Sequence, residues 1–546
     1  MARGAVRNGT DDGAQMLSAQ PRTDTLAEGT APRTDLSGRL SRWLGLALVV
    51  LLGTLLVWVL FETWIQVLLS NPVEDDRGNL LAEGPDWPKS VKNGLYFVLL
   101  ALTVVKVTLA RRWRDFTTPA DIAVVVLGVV FVLAGLFGDS PVGLIGAAGW
   151  VYLRGVVVFY AWRAADPSRL SVRRVLTVVG AVVGLNALIA IWQTLAGPTT
   201  YQNLGWINMT WARINRAHAL LDHPNHLGHL LALTMLGIFA YMASRTKVHW
   251  RWWAAFLALS IALSATQSRE STLGYLAGVA VICVLRRGKW AAATISVVIV
   301  LGFAAAQLAV SPENRAELAR RLAGVTAALN LPSGAEEDDS CVETNADCTD
   351  DRDKIPEREV RVLYAQQGVE LWLKRPVLGY GVGQFGGIVA YEHDPLWYQD
   401  PRFGPEGFRL YGSNEKQVDS FWLHLLVETG ALGALAYLVW LFLLIAPIVR
   451  ATWRRGAAVH PFGWWAPAAM TFAVLVACLA PSLEDPLFPA QLFTILGLAW
   501  VWWKRGTLVS PGSTGVAGPR GLTTVAVERR REERSEVAAE RTEERE

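Results

Sequence analysis

Apolar runs of roughly 18–25 residues recur from Trp43 to Trp503, and each is long enough to cross a ~30 Å hydrocarbon core. No other feature limits the fold so strongly. Of 546 residues, 52% are apolar and only 18% charged, and the mean hydropathy is +0.29. Backbone exposed to lipid must satisfy its own hydrogen bonds, so these runs predict helices and an all-α polytopic membrane protein. About twelve spans are expected, near 43–69, 92–110, 120–137, 142–162, 175–195, 226–243, 252–267, 270–285, 290–310, 420–449, 464–481 and 486–503. Trp43, Trp64, Trp113, Trp250, Trp252, Trp253, Trp502 and Trp503 mark the edges of these runs, as interfacial belts do. Cys283 and Cys478 fall in apolar stretches and read as packing residues. Cys341 and Cys348 share a polar loop, where a disulfide is expected if that loop is exported.

The connections sort by charge. Arg111 to Arg114, Arg163 to Arg174, Arg245 to Arg251, Arg286 to Lys289, Arg450 to Arg455 and Lys504-Arg505 alternate with connections that are short, acidic or functional in appearance. The excess of Arg and Lys places these six in the cytoplasm together with both termini. The opposite connections, with a large loop over 311–419 between spans 9 and 10, then face outward. Residues 1–36 and 506–546 read as cytoplasmic tails, the second carrying a mixed Arg/Glu run, and 37–505 forms the core. No cleavable signal peptide is expected, because no apolar stretch lies near Met1.

Ionisable groups at membrane depth are costly and point to function. Thr266-Gln267-Ser268-Arg269-Glu270-Ser271 forms a polar knot between two apolar runs. The loop over 196–225 carries Arg213, Arg216, His218, Asp222, His223, Pro224 and Asn225, with His226 just beyond it. The histidine spacing lacks the pairing of a helical zinc site, so no metal and no cofactor is expected. Arg216 offers a planar fork for phosphate, and Asn225 reads as a cap or orienting group for the helix after Pro224. In the large loop an amphipathic helix over 358–376 places Arg358 and Arg361 on one face. Pro376 to Phe385 follows, where Gly379 and Gly381 permit tight turns and close backbone approach. Asp419 stands where an N-cap would open the next helix, and Glu428 lies within that apolar span with His424 as a candidate neighbour.

In this order, these elements resemble the O-antigen ligase and polymerase superfamily over roughly residues 200–500. The resemblance rests on Arg216 before Pro224-Asn225, on Ser268-Arg269 after a Thr, on Pro376-x-x-Gly379-x-Gly381-x-x-x-Phe385, and on Glu428-x-Gly430-x-x-Gly433. Two positions depart: Asp419-Ser420 stands where the family has His-Asn, and Ala219 stands where a Gly follows the Arg by three.

The resemblance implies a GT-C-like architecture and an inverting, metal-independent glycosyltransferase. It would move a polyprenyl-diphosphate-linked glycan onto a glycan or lipid-linked acceptor at the outer face of a bacterial cytoplasmic membrane. Arg216, Arg269 and Arg361 would stabilise the diphosphate and Asp419 would act as base. Asn225, Ser268, Glu428, Gly379 and Gly381 would support them. Partners would be that donor, the acceptor and membrane lipid, with no nucleic acid. Two other classes fit parts of the pattern. One is a lipid-linked sugar flippase. The other is a transferase using polyprenyl-monophosphate sugars, for which Glu74-Asp75-Asp76 would be the acidic site.

Overall fold

The computed structural model describes residues 36–74, 80–310, 360–411, 416–455 and 460–506. Cys341, Cys348, Arg358, Asp75 and Asp76 lie outside the described residues, as do both tails up to Asp35 and from Thr507. A helix occupies each of the twelve apolar stretches. In chain order these are α1 (Leu36–Leu68), α2 (Trp87–Leu109), α3 (Pro119–Phe137), α4 (Val142–Ala165) and α5 (Arg169–Ala196). After the short α6 (Pro198–Asn203) and α7 (Thr210–Arg213) come α8 (Pro224–Ala243), α9 (Trp250–Thr266), α10 (Arg269–Arg286) and α11 (Trp290–Val310). From the large loop come α12 (Val360–Lys374) and the short α13 (Ile388–His393). The chain closes with α14 (Phe421–Arg455), α15 (Pro461–Val476) and α16 (Leu487–Lys504). Seven of these are long and apolar enough to cross a membrane: α1 to α5, α8 and α14. The chain is therefore a multi-pass membrane protein. Among the described residues the β structure is one antiparallel hairpin pairing Asn71–Glu74 with Leu80–Glu83.

Local chemistry sets the helix ends. Ser168 accepts the Ser171 amide at the start of α5, and Thr118 forms a capping box with Asp121 at α3. His223, His249 and His460 each cap the helix that follows by accepting the amide two residues on through Nδ1. An acceptor nitrogen must be unprotonated, and burial pushes His460 down to about 4.

The six basic connections gather at one end of the bundle. Arg112 lies 3.9 Å from Asp166, which also pairs with Arg505. Arg169 and Arg245 both act on His460, while Arg286 and Arg287 lie over Trp464 and Trp453. The remaining connections meet at the opposite end, where Ser140 donates to the Val382 carbonyl and Gln267 to that of Asn215.

Tryptophan does not keep to the edges. Trp162, Trp440, Trp464 and Trp500 are fully buried, and Trp502, read as interfacial, is 3% exposed and stacks on His460 and Phe462. The indole N–H of Trp500 reaches the Leu444 carbonyl and that of Trp162 reaches Thr494, which removes the cost of burying them. Cys478 also departs from expectation: it is exposed, in the turn after α15, whereas Cys283 is buried.

Charges that the sequence reading passed over hold the helices together. Asp121 on α3 pairs with Arg163 on α4 at 2.5 Å and accepts from Tyr160, while the Arg163 guanidinium stacks on Phe116 and Trp500. Lys92 and Glu62 pair at 2.7 Å between α2 and α1. Lys106 donates to the Ala165 carbonyl, a cation at the C-terminal end of α4.

The most consequential feature is a break in α14. Gly430 takes φ 63° and ψ −169°, a conformation essentially reserved for glycine, and a Cβ there would collide with the Val377 backbone. The carbonyls stranded before the break accept from the large loop, Val427 from the Tyr380 amide and Glu428 from the Gly381 amide, both at 2.9 Å. The amides stranded after it donate back, Ala431 to Pro376 at 2.8 Å and Leu432 to Val377 at 3.2 Å. Gly379 and Gly381, at φ 69° and 111°, make that approach possible, since a Cβ on Gly379 would strike the Val427 and Glu428 carbonyls.

Three stability predictions follow from these contacts, each read as the melting temperature of purified full-length protein. Gly430→Ala costs about 1–3 kcal/mol from the backbone alone and more from the collision, and lowers it. Asp121→Asn leaves Arg163 charged and buried without its carboxylate and costs about 3–5 kcal/mol. Ala219 adopts φ 52°, so Ala219→Gly gains about 1 kcal/mol and raises the melting temperature.

Candidate functional site

The site is built at the end of the bundle opposite the basic connections. Its first wall is the loop from Gly197 to His223. Gln193 on α5 shapes it, accepting the His218 and Ala219 amides through Oε1 at 3.1 and 2.8 Å, while Trp206 donates to the Ala219 carbonyl. His218 is structural: its Nδ1 bonds the Leu221 carbonyl, its ring packs against Trp206, and burial pushes it down to about 4.

This scaffold aims Arg216. Its Nε donates to the Thr266 carbonyl at 3.1 Å, its Nη2 donates to Asn225 Oδ1 at 2.8 Å, and the guanidinium lies over Trp211. Asn225 therefore orients Arg216, while His223 caps α8. Ser268 is the N-cap of α10, accepting the Ser271 amide, and lies against Gly228 of α8. Arg269 opens α10 with an exposed side chain.

The second wall comes from the large loop. Arg361 on α12 donates from Nε to Asp419 Oδ2 at 2.5 Å. Both side chains stay partly accessible, 39% and 30%. Asp419 does not cap α14: Ser420, at φ 95°, accepts the Leu423 amide instead. Asp419 is left to face Arg361. The backbone beside it is clamped, because the Val418 amide donates to Gly386 and the Val418 carbonyl bonds Nε2 of His424 at 2.7 Å. The other His424 nitrogen bonds Glu484 at 2.5 Å, and Glu484 also accepts the Ile388 amide. The partner of His424 is thus Glu484, not Glu428. Glu428 accepts from the Tyr152 hydroxyl at 2.7 Å and from the Phe385 amide at 3.0 Å, tying the glycine loop to α4 and α14.

The two walls converge on Glu270. It pairs with His229 Nε2 at 3.0 Å and feels the charges of both Arg216 and Arg361. Beside it, His226 Nδ1 bonds Asp222 at 2.7 Å, and His226 also feels Asp485 and Glu270. Half of the Asp222 side chain and a quarter of that of His226 are accessible, though protein encloses both. Both therefore line a recess and stay open to solvent. Burial alone would raise the Asp222 carboxyl, but the adjacent His226 holds it below the ordinary carboxylate range. Burial and the same neighbour push His223 well below its usual value, in keeping with its acceptor role as a cap.

Of the residues expected in the site, Arg216 with its partner Asn225 and Arg361 with its partner Asp419 both act on Glu270, and Ser268, Glu428, Gly379 and Gly381 make supporting contacts around them. The sequence reading missed Glu484, Tyr152, His229, Asp485 and Arg154. Arg154 is buried within α4, facing Tyr96, Asp485, Glu484 and Glu62. A basic residue inside an apolar run was the available signal for it. Together these residues offer guanidinium groups, carboxylates and an imidazole held by a carboxylate. Such a set suits the transfer of a group bound to a polyanion.

Residues 253–438, about a third of the chain, match the family model described as O-Antigen ligase. No curated protein matches the chain. The match takes in Arg269, Arg361, Gly379, Gly381, Asp419 and Glu428, and over these residues the chain is similar to the O-antigen ligase family.

Proposed function

We propose that this protein transfers a glycan from a polyprenyl diphosphate carrier to an acceptor glycan or lipid-linked acceptor at the outer face of a bacterial cytoplasmic membrane. In this reading twelve helices span the membrane, the basic end and both termini face the cytoplasm, and the recess opens outward. The observation that carries it is the Arg361–Asp419 pair, reachable from solvent, with Arg361 and Arg216 both acting on Glu270.

A departing diphosphate needs fixed positive charge where its own charge develops, and guanidinium groups supply this without a metal. Arg216, Arg269 and Arg361 take that role. Arg216 is pre-aimed by Asn225 and Thr266, so little reorganisation is needed when the donor arrives. The incoming diphosphate competes with Asp419 for Arg361. Once Arg361 turns to phosphate, Asp419 is released to accept the proton of the attacking hydroxyl. Donor binding thereby switches on the base. The hydroxyl oxygen bonds the anomeric carbon as the carbon–phosphate oxygen bond breaks, with inversion in a single displacement. The clamp of His424, Glu484 and Gly386 on Val418 keeps Asp419 in place throughout.

The test is complementation of a deletion strain, with surface polysaccharide and lipid-linked intermediates read together. Arg216→Ala, Arg361→Ala and Asp419→Asn each lower transfer by about 10²–10³-fold and leave lipid-linked donor on the outer face. Donor accumulating on the inner face instead would mean a flippase. Full activity of Asp419→Asn would remove it as the base.

A further inference from the structure

Four histidines lie in this part of the bundle, and in three of them one ring nitrogen is committed to a cap or an internal contact, with the second nitrogen of His218 and of His229 sealed inside the protein. His218 is buried against Trp206, with its Nδ1 on the Leu221 carbonyl. His223 uses Nδ1 to cap α8, and its ring stands edge-on to Trp211. His229 is 2% exposed and bonds Glu270 between α8 and α10. His226 differs. Its Nδ1 is held by Asp222 at 2.7 Å, and its side chain remains a quarter accessible in the recess. Among the described residues, no group bonds its Nε2.

A carboxylate on Nδ1 fixes the ring and stabilises the imidazolium, the form in which Nε2 also carries a proton. The groups facing His226 reinforce this. Asp222 belongs to the preceding loop, Glu270 to α10 and Asp485 to the turn before α16, so three carboxylates surround it. The neighbouring rings are His223 at 5.5 Å and His229 at 6.5 Å between centroids. Of the cations, Arg216 is held by Asn225, the residue before His226, and Arg361 reaches Glu270. His226 therefore presents an N–H to the same space as the guanidinium groups. That geometry suits the delivery of a proton to an oxyanion.

We propose that His226, positioned by Asp222, is the proton donor to the leaving diphosphate. This rests on the function proposed above. As the bond between the anomeric carbon and the phosphate oxygen breaks, its electron pair stays on that oxygen. The oxygen takes the proton from His226 Nε2. The proton of the acceptor hydroxyl goes to Asp419. Water entering the recess then returns a proton to His226 and removes one from Asp419, so the enzyme ends each turnover as it began. Asp222 is a positioning residue, since it acts through His226.

The experiment uses the full chain reconstituted in vesicles with a short synthetic polyprenyl-diphosphate-linked sugar as probe. His226→Gln lowers kcat about 100-fold with KM for the donor nearly unchanged. The wild-type rate falls on the alkaline side, and Asp222→Asn moves that limb to lower pH, because the imidazolium loses its carboxylate. Added imidazole restores part of the rate of His226→Gly. A His226→Gln protein with wild-type kcat overturns the proposal. So does a deficit that imidazole does not rescue, with the alkaline limb unmoved in Asp222→Asn, which marks a structural role. A wild type without transfer overturns the function and this proposal together, whereas an active wild type with an unaffected His226→Gln overturns this proposal alone.

Discussion

The rest of the site depends on the helix break at Gly430. Breaking a helix inside an apolar bundle strands carbonyls on one side and amides on the other, and each such group costs several kcal/mol if unmet. Here the loss is cancelled by a single partner. The Pro376 to Gly381 segment gives two amides to Val427 and Glu428 and takes two from Ala431 and Leu432. Two motifs that stand 50 residues apart in the sequence are therefore one structural object. The glycines of the loop and the glycine of the helix serve the same close approach, and neither strand of the joint survives alone.

From that joint the site is positioned outward. Glu428, just before the break, takes the Phe385 amide and the Tyr152 hydroxyl, which fixes the loop against α4. The loop continues to Gly386 and Ile388, whose backbone anchors Val418 and Glu484. Glu484 holds His424, His424 holds the Val418 carbonyl, and Asp419 follows in the chain. A proposed base on a loop would ordinarily be imprecise. This one inherits the rigidity of a transmembrane helix through three hydrogen-bonded steps.

Much of this was legible in the sequence, for reasons that are local. Apolar length marked each helix: nine begin within three residues of the expected boundary, while α1, α2 and α5 begin five to seven residues earlier, α5 because Ser168 caps the polar turn that precedes the apolar run. The glycines of the large loop and the pair Arg216 and Asn225 were also visible. What stayed hidden was pairing across the chain. Glu484 lies beside Pro481 and Asp485 in a turn too short to stand out, and only the fold brings it 60 residues back to His424. Asp121 and Arg154 interrupt apolar runs singly, so a hydropathy reading absorbs them, and Arg163 reads only as the start of a basic connection. Asp419 shows a different limit. Its position at a helix start predicted a cap, yet Ser420, next in the chain, took that role and left the carboxylate to Arg361. Ala219 is the reverse case. The family places Gly there, and its φ of 52° supplies the physical reason.

Ion pairs of the same chemistry occur at both ends of this bundle, and accessibility separates their purposes. Asp121 and Arg163 are each 6% accessible, wrapped by Phe116, Tyr160 and Trp500. No ligand can reach either partner, and breaking the pair would bury a bare charge. Arg361 with Asp419, and Asp222 with His226, stay open to solvent, with between a quarter and a half of each side chain accessible. Such a pair can exchange partners with an arriving polyanion at small cost, because water and the ligand replace what is lost. The sealed pairs hold the helices together, and the accessible pairs keep reactive groups poised without committing them. The transfer proposed for this protein draws on both, and the two kinds are set at opposite ends of one helix bundle.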